Sequence, residues 1–228
     1  MKKFLKLLLT YKISNKIINY IQDHVSIYQL NIEHPNSGRY IPFFLYKHQR
    51  KYIRYLNAFE NIVLIKSKQV GETSVFIGYS FYKMLHEKNQ NIIIVFPNSI
   101  TLLDFKTKIL SMLSKAKILC NVESVGIDFP NNNQITFLLE NEFLDHINEI
   151  KTLDNLLIQF NSTELGNITI NEIYPILNKP DSRIILVSSS EVTSHLKIFM
   201  ENKLPNKMKT FSTLIISTFK VSVRRNNI

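Results

Sequence analysis

The sequence is poor in cysteine, and this scarcity excludes several classes of protein. Cys120 is the only cysteine among 228 residues. One cysteine cannot form an intrachain disulfide, so a disulfide-stapled secreted domain is excluded and a reduced, intracellular globular protein is favoured. The six histidines are scattered and have no ligand spacing with Cys120, which argues against a zinc site. We assign Cys120 no functional role.

Other signatures are missing as well. The sequence has no G-x-S-x-G elbow, no internal repeat or heptad pattern, and no apolar run long enough to cross a bilayer. The N-terminal segment MKKFLKLLLTYK imitates a signal peptide, but Lys6 interrupts its apolar stretch and no small-residue cleavage site follows. We therefore expect this segment to be an amphipathic helix that lies on the protein.

The composition favours one sizeable core and a polyanionic partner. Hydrophobic residues make up 45% of the chain, and the formal net charge is +10 with a pI near 9.5. Such a charge suits nucleic acid or a membrane surface. A solvated lysine-rich surface is the alternative, and a membrane-surface role for the N-terminal helix rests on charge alone.

The order of apolar runs predicts an α/β fold with a mainly parallel sheet flanked by helices and preceded by an N-terminal helical segment. Four runs read as buried strands because they are nearly continuous rather than alternating; they lie at 62–65, 91–98, 154–162 and 183–190. We divide the chain into a helical segment and linker (1–40, with the helical pattern reaching Gln29), a main domain (41–200) and a basic C-terminal tail (201–228) that contains one strand-like run, Thr213 to Val221.

The main domain is organised around residues 61–83. A strand, Ile62 to Ile65, is followed by a polar turn and then by a helix that begins at Glu72, with Thr73 and Ser74 in its first turn. A strand, a glycine turn and a helix N-terminus form a cradle for an anion, because backbone N–H groups and the helix dipole point into the turn. The spacing alone is equally consistent with an ordinary strand–turn–helix.

The phosphate-loop pattern is incomplete in this turn. The full pattern has an earlier glycine and a lysine directly after the second glycine, Gly71 here. This sequence lacks the earlier glycine and has Glu72 in the lysine's place. A carboxylate facing a triphosphate would repel it, so we expect Glu72 to point away or to weaken the site.

Residues 66–74, KSKQVGETS, resemble the deviant Walker A motif of phage large terminases, the DNA-packaging motor ATPases. The resemblance implies that Lys66 is the phosphate-binding lysine and that Lys68 takes the place of the family's arginine, both as catalytic residues. It also makes Thr73 the hydroxyl ligand of Mg²⁺. The remaining nucleotide-binding positions that it implies are Ser67, Gln69, Gly71 and Ser74.

Three further segments fit this resemblance in the correct order. Phe44, Leu45 and Gln49 resemble the element in which a glutamine reads the adenine edge, since its amide can both donate and accept. Core packing at a helix entry is the alternative. The strand and helix of 91–105 resemble a family segment, as does a predicted hairpin, Ile127 to Phe137, whose asparagines tolerate left-handed backbone angles.

The segment 154–162 occupies the Walker B position, but its end lacks the expected acids. An ATPase of this type needs a carboxylate there to hold Mg²⁺ and usually a second to activate water. Depending on register, the sequence offers Gln159–Phe160 or Asn161–Ser162. Glu164 is the remaining candidate for the catalytic acid. This departure puts ATP hydrolysis in doubt.

The strand at 183–190 ends in Ser188, Ser189 and Ser190. It resembles the terminase coupling motif, which senses the γ-phosphate; taken alone, the residues are equally a strand followed by a serine turn. No cluster of Asp and Glu follows Ser190, so we expect no metal-dependent nuclease domain of the kind that follows the ATPase in full terminases.

The resemblance covers roughly 42–190 and implies a terminase-type ATPase domain. The implied cofactors are ATP and Mg²⁺, and the implied partners are double-stranded DNA, the portal and the small terminase subunit. A ring homo-oligomer in the cytoplasm of an infected or prophage-bearing host is expected on the same ground. The alternative is a catalytically inactive, shortened terminase remnant that acts as a nucleotide- or DNA-binding protein.

Overall fold

A computed structural model describes residues 2–30, 38–58, 61–67, 70–150, 152–153, 155–160, 176, 179, 182–189 and 211–216. The helices are α1 (Lys2–His24), α2 (Lys47–Ala58), α3 (Glu72–His86), α4 (Ser99–Ala116), α5 (Glu140–Asp145) and α6 (Ile147–Ile150). The strands are β1 (Ser26–Leu30), β2 (Gly38–Pro42), β3 (Asn61–Lys66), β4 (Asn91–Phe96), β5 (Asn121–Val122), β6 (Gly126–Phe129), β7 (Asn133–Leu139), β8 (Leu156–Phe160), β9 (Arg183–Ser189) and β10 (Phe211–Ile216).

The main sheet has eight strands in the order β10-β3-β9-β8-β4-β7-β6-β5. The strands from β10 to β7 are parallel, whereas β6 and β5 run antiparallel. This arrangement confirms the predicted mainly parallel sheet. The predicted hairpin is also confirmed, because β6 and β7 are joined through Asn131 and Asn132, whose φ angles are 66° and 57°.

Both faces of the parallel strands are covered, which explains why their sequences are continuously apolar. On one face, alternate strand residues such as Ile62, Leu64 and Ile94 pack with α1 to α4 in one core cluster. On the other face, Val63, Ile93 and their neighbours pack with α5 and α6 in a second cluster. The helix that follows β3 is therefore held on the first face.

The predicted N-terminal helix is present as α1, but the end of the N-terminal region differs from the prediction. The helix ends at His24 rather than at Gln29, and Ser26–Leu30 pairs with Gly38–Pro42 as an antiparallel ladder. The helical pattern was wrong at residues 26–29, because pairing with the next strand overrides weak local propensity. Ile17 and Ile21 of α1 are fully buried in the same core cluster as α2 and α3.

The C-terminal region also joins the main sheet. Phe211–Ile216 pairs in parallel with β3, with Phe211 opposite Asn61. This strand lies in the segment assigned to the basic C-terminal tail. It overlaps the predicted strand-like run from Thr213 to Ile216, and the rest of that run lies outside the described residues. The sequence also predicts helices at 171–177 and 191–202, and these ranges lie almost entirely outside the described residues. Within the described part of the chain, no helix is both long enough and apolar enough to cross a membrane.

Candidate phosphate-binding site

The predicted strand–turn–helix is present at the carboxyl end of the central strand β3. β3 ends at Lys66 and α3 begins at Glu72, with Gly71 as the N-cap residue in the left-handed region (φ 76°, ψ 17°). The Gly71 carbonyl accepts the N–H of Val75 at 3.2 Å, which starts the helix. The first N–H groups of α3 have no partner within the helix and are available to an anion. Lys68 and Gln69 lie outside the described residues.

Glu72 does not point into solvent. Its carboxylate lies 2.5 Å from the Nζ atom of Lys66, and the side chains of Lys66 and Glu72 are only 18% and 8% exposed. The hydroxyl of Thr73 donates to Glu72 Oε1 at 3.0 Å. One carboxylate therefore holds both the ammonium predicted to contact phosphate and the hydroxyl predicted to bind Mg²⁺. The sequence drew attention to Glu72 but did not reveal this pairing.

Gln49 lies beneath the loop and is buried. Its Oε1 accepts the backbone N–H of Tyr46 at 2.9 Å, and its Nε2 donates to the carbonyl of Val70 at 3.2 Å. His48 Nε2 lies 3.1 Å from the same carbonyl. The amide of Gln49 thus supports the loop backbone, and its contact with adenine stays a prediction. Its position three residues after the helix N-cap is typical of a side chain that bonds back to the N-cap N–H.

The predicted coupling strand lies beside the loop strand. In the parallel ladder of β3 and β9, Ile65 is opposite Ser188 and Lys66 is opposite Ser189. Ser188 is fully buried. Ser190 lies outside the described residues. The chain therefore brings two of the three predicted coupling serines to the edge of the sheet from which the loop leaves.

The strand predicted to occupy the Walker B position, β8, follows β9 in the sheet and ends at Phe160. Gln159 is buried and opposite Ile94 and Ile185, which belong to the core cluster on the α3 face. The carboxyl ends of β3, β9 and β8 meet at one edge, which is where ligands bind in open parallel sheets. Glu164 and Asn161 lie outside the described residues.

A carboxylate at this edge comes from the loop rather than from β8. Among the described residues at the carboxyl ends of β3, β9 and β8, Glu72 is the only Asp or Glu. No group of three His, Cys, Asp or Glu that could hold a metal by themselves occurs in the described ranges. Mg²⁺ needs less from the protein, since it binds through one or two side-chain oxygens together with substrate phosphates. The oxygens of Glu72 and Thr73 fit that requirement.

The charge of Glu72 also reaches the interior behind the loop. The hydroxyl of Tyr52 is buried and has no hydrogen-bond partner among the described residues. Burial raises the pKa of Tyr52 well above its usual value, and Glu72 and Tyr79 raise it further, whereas Arg183 lowers it. Arg183 Nη1 donates to the Tyr79 hydroxyl at 3.1 Å, which ties β9 to α3.

The exposed face of α2 carries a row of cations, which we name the basic stripe; it consists of Lys47, Arg50, Lys51 and Arg54. The opposite face of α2 is buried and carries Gln49, Tyr52, Ile53 and Leu56. The two helices together contain five Lys in α1 and four Lys or Arg in α2, but only one acidic residue, Asp23. Arg54 stacks over the ring of the exposed Tyr11 of α1 at 5.2 Å. α2 is therefore a strongly positive surface.

No protein-family model and no curated protein sequence matches the chain. Solved structures do. The large terminase ATPase domain of Thermus phage P74-26 matches with a TM-score of 0.60 at 12% identity, over 81% of this chain and 86% of that domain. The large terminase of bacteriophage HK97 matches with a TM-score of 0.60 at 14% identity, over 83% of this chain and 40% of that protein. The large terminase of a thermophilic bacteriophage, in complex with ADP, matches with a TM-score of 0.52 at 16% identity, over 74% of this chain and 44% of that protein.

This protein therefore has the fold of a phage large terminase ATPase domain. The chain spans less than half the length of the HK97 terminase and of the ADP-bound terminase. The similarity to the P74-26 ATPase domain extends over most of both chains.

Proposed function

We propose that this protein is the ATPase domain of a DNA-packaging terminase, which binds ATP with Mg²⁺ at the loop of residues 66–74 and double-stranded DNA at the basic stripe. One observation carries the proposal: in a terminase ATPase fold, the glycine turn between β3 and α3 lies at the carboxyl edge of the sheet, beside the predicted coupling strand. That edge is the usual ligand edge of a parallel sheet.

In the nucleotide site, the phosphates bind the N-terminus of α3 and Lys66, and Thr73 ligates Mg²⁺. Phosphoryl transfer depends mainly on positioning and on neutralising charge, so these groups supply most of what the protein can contribute. Ser188 and Ser189, at the end of β9, couple the state of the γ-phosphate to movement. Lys68, Gln69, Glu164 and Ser190 keep their predicted roles. When bound, Mg²⁺ would supply positive charge that neutralises the phosphates.

The DNA site is the basic stripe. It spans about 10 Å along the axis of α2, and duplex DNA carries one negative charge per about 1.7 Å of its axis, so the stripe faces several phosphates at once. Gln49 lies on the buried side of α2, and the next residue, Arg50, is exposed. Gln49 bonds to the Val70 carbonyl of the loop, so a shift of α2 on DNA acts directly on the nucleotide site.

The wider assembly follows from the same family likeness. A portal and a small terminase subunit are the expected protein partners, a ring is the expected homo-oligomer, and the cytoplasm of an infected or prophage-bearing cell is the expected location. These expectations rest on structural likeness to terminases and on the positive charge of the chain.

A second candidate function is nucleotide-gated DNA binding without turnover, as in a catalytically inactive terminase remnant. Gln159 and Phe160 favour it, because β8 ends without a carboxylate. The ion pair of Lys66 with Glu72 favours it as well, because the lysine is already neutralised within the loop.

The test is ATP hydrolysis by the purified chain with Mg²⁺, with and without duplex DNA. DNA-stimulated turnover that is lost in Lys66→Ala and in Thr73→Val, and partly retained in Lys66→Arg, supports the motor ATPase. Lys66→Ala leaves Glu72 buried without its partner, so Thr73→Val, which replaces a hydroxyl by a methyl group, supplies a variant that leaves the ion pair intact. Lys83→Ala is the matched control, since Lys83 pairs with Glu87 at the other end of α3.

The outcomes separate the two candidates. Nucleotide binding without turnover supports the gated DNA binder. No nucleotide binding by the wild-type chain overturns both candidates.

A further inference from the structure

The carboxylate of Glu72 lies in a nearly buried position, where its charge requires a cation as a partner. It is nearly buried and pairs with Lys66 at 2.5 Å, and it also accepts the hydroxyl of Thr73 at 3.0 Å. Removing the partner of a buried charge is strongly unfavourable, because the charge that remains is neither solvated nor compensated. Any event that takes Lys66 away from Glu72 must therefore bring another cation to it.

Nucleotide binding at the loop is such an event. If the ammonium of Lys66 turns to a phosphate, the carboxylate of Glu72 is left unpaired beside a polyanion. A proton or a divalent cation resolves the conflict. The divalent cation is favoured, because the Thr73 hydroxyl adjoins Glu72 Oε1, and these oxygens together with phosphate oxygens match what Mg²⁺ binds in proteins.

Among the described residues at the carboxyl ends of β8 and β9, no other acid competes with Glu72; Glu140 follows β7, two strands beyond β8. β8 ends in Gln159 and Phe160, and β9 ends in Ser188 and Ser189. Behind the loop, the buried hydroxyl of Tyr52 lies within electrostatic range of Glu72 and has no hydrogen-bond partner among the described residues. The carboxylate that a terminase-type ATPase needs for its metal is thus available from the loop instead of from β8.

We propose that Glu72 is a carboxylate ligand of the nucleotide-bound Mg²⁺, and that it exchanges Lys66 for the metal when nucleotide binds. The inference rests on the proposed function, since it requires nucleotide at this loop. It makes metal-free nucleotide a poor ligand of the wild-type chain: without Mg²⁺, Lys66 cannot leave Glu72 without stranding a charge. Glu72 thereby couples the presence of metal to the availability of the phosphate-binding lysine.

The test is the affinity for ATP and ADP, measured by titration calorimetry with Mg²⁺ and again with EDTA. We expect EDTA to weaken binding to the wild-type chain by about a hundredfold, which is the scale for leaving a buried charge unpaired. In Glu72→Gln the same ratio falls to about tenfold or less, and metal-free nucleotide binds more tightly than to the wild type, because Lys66 is released. Glu87→Gln is the matched control: it removes one carboxylate from a Lys–Glu pair at the other end of α3 and keeps the wild-type ratio.

A second readout follows the metal itself. Binding of Mn²⁺ to the protein–ADP complex, followed by electron paramagnetic resonance, weakens in Glu72→Gln and is unchanged in Glu87→Gln. Glu72→Asp keeps the charge on a shorter side chain and gives an intermediate metal dependence, which guards against a variant that fails to fold. Equal metal dependence in the wild type and in Glu72→Gln overturns the inference while the nucleotide site stands. Absence of nucleotide binding to the wild type in Mg²⁺ overturns the proposed function itself.

Discussion

Replacing Gly71 by alanine tests whether the loop has the conformation described. Gly71 has φ 76°, and a Cβ atom built there would lie 2.6 Å from Nε2 of Gln49. The substitution therefore strains the backbone and also drives the glutamine amide away from the loop. Both effects act on the same few atoms that support the predicted phosphate site.

The size of the effect can be estimated from these two contributions. A residue with a Cβ atom in the left-handed region costs about 1–2 kcal/mol. Displacing Gln49 disturbs its buried hydrogen bonds to Tyr46 N and Val70 O, at about 1 kcal/mol each. We expect Gly71→Ala to lower the free energy of unfolding by about 2–4 kcal/mol, which corresponds to roughly 5–15 °C in Tm for a chain of this size.

The assay is urea unfolding in a double-mutant cycle with Gln49→Ala. In the Gln49→Ala background the steric conflict is gone, so Gly71→Ala costs only the backbone strain and the cycle gives a coupling energy of about 1–2 kcal/mol. Gly78→Ala is the control for coupling: its Cβ would lie 3.0 Å from the fully buried side chain of Ile21, without left-handed strain, and its cost should add to that of Gln49→Ala. Additive effects of Gly71→Ala and Gln49→Ala, or a cost of Gly71→Ala below about 1 kcal/mol, would refute the reasoning.

Three further predictions concern other parts of the molecule. Neutralising Lys47 and Lys51 of the basic stripe lowers the slope of log Kd against log salt for duplex DNA by about 2. The same change at Lys108 and Lys115 of α4 leaves the slope unaltered. An unchanged slope for the stripe variant argues against DNA binding at α2. Asn133→Ala lowers the free energy of unfolding, measured by urea denaturation, by about 2–3 kcal/mol. The reason is that the buried amide donates to the carbonyls at the end of α3 and accepts the N–H of Gln90, at distances of 2.6–2.7 Å. A loss below about 1 kcal/mol contradicts this explanation. Burial raises the pKa of Tyr20 to about 12. The contribution of neutral Tyr20 to the free energy of unfolding is therefore complete below pH 10 and is lost as the pH rises toward 12, because the unfolded chain ionises first. Tyr20→Phe should flatten the fall in the free energy of unfolding between these pH values, and an unchanged fall contradicts the assignment.

The parts that the sequence predicts correctly depend on local signals. The strand at 62–65 is a continuous run of mostly β-branched apolar residues, the turn ends in a glycine, and the helix after it has apolar residues at helical spacing. β3, Gly71 and α3 can therefore be predicted from local sequence alone. The asparagine turn between β6 and β7 is local in the same sense, since Asn131 and Asn132 adopt the left-handed angles that asparagine tolerates.

The parts that the sequence does not predict depend on contacts that no local spacing rule encodes. β1 pairs with β2 and β10 pairs with β3, and neither pairing leaves a trace in local periodicity. The amide of Gln49 reaches a carbonyl 21 residues away, at Val70. The ion pair of Lys66 with Glu72 forms across a strand-to-helix turn, where no regular spacing rule applies. The supports of the candidate site were therefore visible only in the folded chain.

The central claim is that nucleotide binds at the turn between β3 and α3, and hydrogen–deuterium exchange tests it most directly. On addition of ATP with Mg²⁺, we expect slower exchange in peptides that cover 61–76 and 182–189, because ligand binding stabilises the segments that it contacts. Peptides that cover the β5–β6–β7 region at the far end of the sheet, 121–137, should be unaffected. Protection confined to regions away from 61–76, or no protection at saturating nucleotide, would contradict the claim.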